Sequence, residues 1–254
     1  DFLDVKVQMA RITPDPRPVA WMVAFSAITA TLTTLIMGTL SDRSRSRWGR
    51  RRPFILFGYI LWGLSTILFP TVAYIKAINV AIVMVVVADS LMTFFGSTAN
   101  DAAFNAWTTD VASSDQRGRV EGVLNLSVFI AQIVALVAAG ILIDKVGYFI
   151  FFYSLGAIVL LTGLVAGALL KEAHLPFDDR KQVSFREEFA ELFDLETFRQ
   201  NRELFILLLF IMVTSIGMKV SFPYLIVYLE NYIGITKSEF SIIGGAVMVG
   251  SAVV

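Results

Sequence analysis

The stretch Gly38-Thr-Leu-Ser-Asp-Arg-Ser-Arg-Ser-Arg-Trp-Gly-Arg-Arg-Arg52 decides how the rest of the chain is read. It separates two long apolar runs, residues 19–40 and 53–73. Six arginines fall within residues 43–52, and none can lie in hydrocarbon, so the stretch is a tight turn at a membrane surface. Many membrane proteins carry such positive charge simply as an anchor. The arrangement here says more. Gly38 ends the first run with room for close packing, and Asp42 can accept hydrogen bonds from the orphan N–H groups that open the next helix. Pro53 suits the first turn of that helix, where its missing N–H is not needed.

The 254-residue chain is 56% hydrophobic with mean hydropathy +0.71, too apolar to hide in one soluble core. Formal net charge is zero, so no bulk basic field points to nucleic acid as a partner. The absence of cysteine excludes disulfides, iron–sulfur clusters and thiolate chemistry. A single histidine, His174, with no Gly-x-Ser-x-Gly and no acidic metal motif, argues against a membrane enzyme. Neither catalytic residues, a metal nor a cofactor is expected. The chain starts at Asp1 with no signal peptide, which leads to the expectation of a fragment.

Residues 1–18, interrupted by Pro14, Pro16 and Pro18, read as an extended extracytoplasmic loop. The apolar runs beyond them approach the ~20 residues that a helix needs to cross hydrocarbon. They predict spans at 19–40, 53–73, 77–109, 120–143, 149–170 and 204–229, with a shorter run at 238–254. The expected fold is an all-α integral membrane bundle of about six complete spans and a partial seventh. Lys and Arg set its orientation. With the arginine-rich turn cytoplasmic, fourteen basic residues fall in loops on that side and three, Lys76, Lys145 and Lys237, in the opposite loops between spans. The one long polar segment, 171–203, is then cytoplasmic too. Within it, Ser184-Phe-Arg-Glu187 is a capping-box pattern, and Phe185, Phe189, Leu192 and Phe193 recur at helical spacing, which predicts a short amphipathic helix on the membrane surface.

Gly38-x-x-x-Asp42-Arg43 followed by Gly49-Arg50-Arg51 resembles the loop between helices 2 and 3 of the major facilitator superfamily. The longer form, Asp42-Arg-Ser-Arg-Ser-Arg-Trp-Gly-Arg-Arg-Arg-Pro53, is similar to the glycoside–pentoside–hexuronide:cation symporter branch, which includes melibiose-type carriers; plant-type sucrose carriers share a related version. The resemblance covers about sixteen residues. It implies that 19–40 is helix 2, that 19–170 is helices 2–6 of the first transporter half, and that 171–203 is the central linker. Residues 204–254 then hold helix 7 and part of helix 8, and helices 1 and 9–12 are missing. It also implies a small-solute carrier that is a monomer when full length, lies in membrane lipid and uses Gly38, Asp42, Arg43, Gly49, Arg50 and Arg51 as a cytoplasmic gate.

An ionisable residue inside a span is costly and so is a functional candidate. Asp101, in Asn100-Asp-Ala-Ala-Phe-Asn-Ala-Trp107, lies within the 77–109 run, with Asn105 one turn away on the same face. The resemblance matches Asp101 to the helix-4 acid that serves the sugar and cation site of melibiose-type carriers; pairing with Arg117 or Arg119 is the plainer alternative. Asp89 stands twelve residues earlier, about 120° away around a regular helix, so the two acids cannot both face a cavity squarely. Lys219, in Gly217-Met-Lys-Val-Ser-Phe-Pro223, is the basic residue deep in a span, where Gly217 and Pro223 suggest a bent or broken helix. Asn125 and Gln132 lie seven apart on one face and could donate to hydroxyls or bond a neighbouring helix.

The pattern also departs from that branch. The two helix-2 acids of melibiose-type carriers fall on Thr34 and Ala30, and their helix-5 arginine falls near Ser127. The expected function is therefore a cation-coupled symporter for a sugar or glycoside, in which a proton fits better than sodium as the coupling ion. A carrier for a lipid-like or other small solute, or a non-transporting receptor on the same fold, is the alternative.

Overall fold

A computed structural model describes residues 17–44, 46–113, 115–170 and 202–251. The predicted surface helix of the 171–203 segment, His174 and the first sixteen residues lie outside them. Among the described residues the regular structure is helical throughout. α1 is Arg17–Asp42 and α2 is Arg52–Leu68, continued by a 3-10 turn at Phe69–Tyr74. α3 runs over Ile78–Gly96, passes through a π-helical stretch at Ser97–Phe104 and resumes at Asn105–Val111. α4 (Arg117–Ile143) and α5 (Lys145–Leu169) follow. These five spans are long and apolar enough to cross a membrane, and together they form an all-α bundle. α6 is Arg202–Tyr228 and α7 is Lys237–Ser251.

The chain divides into two compact units, Leu175–Ile235 and the remainder. In the first of these, the α6 backbone runs through Gly217 and Pro223 without the break that the sequence suggested. Pro is tolerated inside spans when neighbouring groups re-satisfy the freed carbonyl. In the larger unit, α7 opens on a capping box not singled out in the sequence. The Thr236 N–H donates to a Glu239 carboxylate oxygen at 2.9 Å, and the Glu239 N–H donates back to the Thr236 hydroxyl at 3.3 Å.

Local chemistry explains where the spans of that unit end. Pro53 sits in the first turn of α2, as expected. Pro70 cannot continue an α-helical ladder, and the chain tightens to 3-10 there. At the start of α5 the helical path breaks at Gly147, which adopts φ 79°, a conformation that a side chain would strain.

Small residues let the helices of this unit approach. A Cβ built on Gly156 of α5 would stand 2.8 Å from the Gly63 carbonyl of α2, and one on Gly63 would stand 2.7 Å from the Leu160 backbone nitrogen. Gly163 and Gly167 continue the same seam against Tyr59 and Leu56. On its other side α2 sets Gly58 against Ala99 of the π stretch, 2.8 Å from a built Cβ. Such contact is the main source of helix association where lipid is as apolar as leucine. α7 lies on α4 in the same way, with Gly244 and Gly245 each bringing a built Cβ within 2.9 Å of Leu136 and Val137.

The apolar core gathers at one end of the bundle. Met22 of α1, Phe69 and Val72 after α2, Val85 and Met92 of α3, Ile143 of α4 and Phe151 and Phe152 of α5 are all buried there. Phe69 and Phe152 rings meet at 5.1 Å. The arginine-rich turn lies at the opposite end.

Candidate functional site

Four helix ends are joined at the arginine-rich turn. Arg51, immediately before α2, is 5% exposed. Its guanidinium pairs with Asp42 at the end of α1, donates from Nε to Asp110 Oδ2 of α3 at 3.2 Å, and donates from NH1 to the Ser41 hydroxyl at 2.6 Å. Ser41 in turn donates to the Gly38 carbonyl at 2.9 Å. Arg50 donates to the same Asp110 oxygen at 2.6 Å. Arg52 reaches across to the far end of α5, with Nε 2.5 Å from the Gly167 carbonyl. Charge-assisted bonds of this kind tie the ends of α1, α2, α3 and α5 into one knot.

Two expectations for the motif are corrected. Asp42 does not cap α2, whose N-terminus at Arg51 carries no side-chain cap bond; its carboxylate goes to the Arg51 guanidinium, a stronger and fully charged partner. Gly38 is not a close-packing point among the described residues, since a Cβ built there meets nothing within 4 Å. Gly49 does carry a backbone requirement, with φ 102°. Arg43 follows α1 on the exposed side of the turn, its N–H on the Thr39 carbonyl at 3.3 Å.

Within the spans, the two acids find different neighbours. Asp89 is half-buried and accepts a hydrogen bond from Ser26 of α1, whose hydroxyl also lies 3.1 Å from that of Thr93. Asp101 sits in the π stretch and is exposed. Tyr59 of α2 donates to Asn100 Oδ1 at 3.2 Å, which turns the Asn100 amide nitrogen toward Asp101 Oδ1, also at 3.2 Å. Asn105 is exposed one turn on. A π stretch widens the helix and changes which way its side chains face, and such stretches recur at functional sites. Arg117 does not take Asp101; it reaches the Thr109 carbonyl at 3.4 Å.

Asn125 and Gln132 are both exposed on α4. The Lys219 backbone is helical in α6, and its side chain lies outside the described residues. Thr34 donates back to the Ala30 carbonyl at 2.8 Å and Ser127 to the Val123 carbonyl at 2.8 Å, so both hydroxyl protons are spent within their own helices. In the loop before α4, bonds from the Ser113 hydroxyl and the local backbone hold the Asp115 carboxyl below the usual carboxylate range.

The structure therefore brings Asp42, Arg50 and Arg51 together and leaves Asp89 and Asp101 apart. The residue that sequence reasoning passed over is Asp110. Its signal was an acid at the end of the third run, in Trp107-Thr-Thr-Asp110, on the same membrane side as six arginines. Tyr59, Asn100 and Ser26 carried no comparable signal, because a hydroxyl or amide in a span is more often an interhelical bond.

Compared with known families, the chain matches the model of the Major Facilitator Superfamily over residues 8–254. No curated protein and no solved structure gives a match.

Proposed function

Since this chain belongs to the Major Facilitator Superfamily, a family of secondary transporters for small solutes, we propose that it is a cation-coupled symporter for a sugar or glycoside, working by alternating access. The observation that carries this reading is the placing of Asp101, an exposed carboxylate on a π-helical stretch within a membrane span. Its orientation is supported from α2 through the Tyr59–Asn100 pair. Asp101 is the coupling group and Asn105 binds solute beside it. Asp89, already engaged by Ser26, holds α1 against α3.

A proton is the coupling ion, because one carboxylate suffices for it whereas sodium wants several oxygens. The positions that supply further acids in melibiose-type carriers hold Thr34 and Ala30, and these bond each other. Asn125, Gln132 and Lys219 are the further candidates for solute hydroxyls. The protein lies in the cell membrane with its arginine-rich turn in the cytoplasm, and the Asp42–Arg51–Asp110 knot is the gate on that side.

The test is uptake into reconstituted vesicles across a panel of labelled glycosides. Asp101→Asn mimics the protonated acid, so accumulation driven by a pH gradient is lost while counterflow persists. A variant that concentrates solute as the wild type does would make Asp101 structural.

A further inference from the structure

The tip of the arginine-rich turn carries two residues that the gate does not use. Ser46 to Gly49 form a hydrogen-bonded turn, with the Gly49 N–H donating to the Ser46 carbonyl at 3.1 Å and the Trp48 N–H to the Ser46 hydroxyl at 3.2 Å. Arg47 and Trp48 are its central pair, and both are exposed. Trp48 folds back onto α2, its ring stacked on Phe57 at 6.2 Å with 14° between planes. Phe57 lies just over one turn inside the span and is itself 52% exposed. The indole thus stands where hydrocarbon meets water, the level that suits an apolar ring with one polar edge.

Charge completes the picture. Residues 38–52 hold six arginines and one acid, Asp42, so the turn carries a surplus of positive charge. Arg50, Arg51 and Arg52 are directed to Asp110, Asp42 and the end of α5. Arg47, the residue before Trp48, contributes its charge at the tip.

We propose that Arg47 and Trp48 form a seat for the headgroup of an anionic phospholipid. The guanidinium fork takes the phosphodiester, and the indole lies along the glycerol and upper acyl chain over Phe57. The surplus positive charge selects a net-anionic headgroup over a zwitterionic one, and one arginine near such a surface is worth about five-fold in affinity. The seat is independent of the solute and of the coupling ion.

The experiment titrates the purified protein in detergent with phosphatidylglycerol or phosphatidylcholine and counts retained lipid by native mass spectrometry. Phosphatidylglycerol is retained preferentially; Arg47→Gln weakens it about five-fold, and Trp48→Ala weakens retention of it as well. Arg119→Gln, an exposed arginine at the same end of the bundle, changes it less than two-fold. Equal losses from Arg47→Gln and Arg119→Gln would show diffuse charge alone and overturn the seat. Equal retention of the two lipids would overturn it as well.

Discussion

Asp42 and Asp110 contact the same guanidinium, yet their removal should differ widely in cost. The Arg51 side chain is 6% exposed, Asp110 22% and Asp42 52%. Asp42→Asn takes away a half-solvated partner and leaves Arg51 with Asp110 and Ser41. Exposed pairs of that sort are worth about 0–1 kcal/mol. Asp110→Asn is different. It removes the negative charge that Arg50 and Arg51 share and leaves both guanidinium groups an amide oxygen where each had a carboxylate. Breaking a buried pair costs about 3–5 kcal/mol. Partial exposure of Asp110 and of Arg50, at 32%, brings the expectation down to about 2–3 kcal/mol.

Thermal unfolding in detergent, followed by far-ultraviolet circular dichroism, reads the difference. At about 2–4 °C per kcal/mol for a chain of this size, Asp110→Asn lowers Tm by roughly 4–12 °C and Asp42→Asn by less than about 4 °C. Adding Arg50→Gln to Asp110→Asn removes one of the two like charges and recovers about 1 kcal/mol, a non-additivity that a double-mutant cycle measures. An Asp42→Asn loss equal to or larger than that of Asp110→Asn would refute the reasoning, since it would place the buried end of the network on the wrong helix.

Other expectations follow from packing and from topology. Gly156→Leu pushes a side chain into the Gly63 carbonyl and the Ile67 backbone and should cost at least about 1–3 kcal/mol, whereas Gly122→Ala, with nothing within 4 Å, should be neutral or stabilising by up to about 1 kcal/mol in the same melt. Cysteines placed at Ser46 and Lys76, at opposite ends of α2, should react with an impermeant thiol reagent from opposite faces of the membrane, Ser46 from the cytoplasmic side; labelling of both from one face would overturn the orientation.

The spans were legible because a membrane demands long apolar runs, and a run shows itself without any tertiary contact. Predicted spans 19–40 and 120–143 became Arg17–Asp42 and Arg117–Ile143, close matches set by where charge begins. The site was less legible, for physical reasons. Twelve residues of regular helix put Asp89 and Asp101 about 120° apart, but the intervening chain enters a π stretch, so the angle could not be counted from spacing. Asp42 looked like a helix cap because an acid before a helix start often is one; only the fold showed a buried arginine closer to hand. Asp110 needed the fold as well, since sixty residues separate it from Arg50 and nothing local marks the pair.

The two ends of the bundle are held by different forces, and this bears on which end can open. At one end Met22, Phe69, Val85 and Phe152 interlock, and no change of charge within that cluster can loosen it. At the other, α1, α2 and α3 meet through Arg50 and Arg51 on two carboxylates, one of them half exposed. Dispersion contacts are numerous and individually weak, so they yield gradually. A charged knot built on a shared acceptor is instead made or broken as a unit, because Asp110 takes bonds from both Arg50 and Arg51. An end closed by such a knot has two states rather than a continuum, which is what a gate requires. In the alternating-access cycle proposed above, the arginine end is the one expected to open, with the aromatic cluster as the fulcrum.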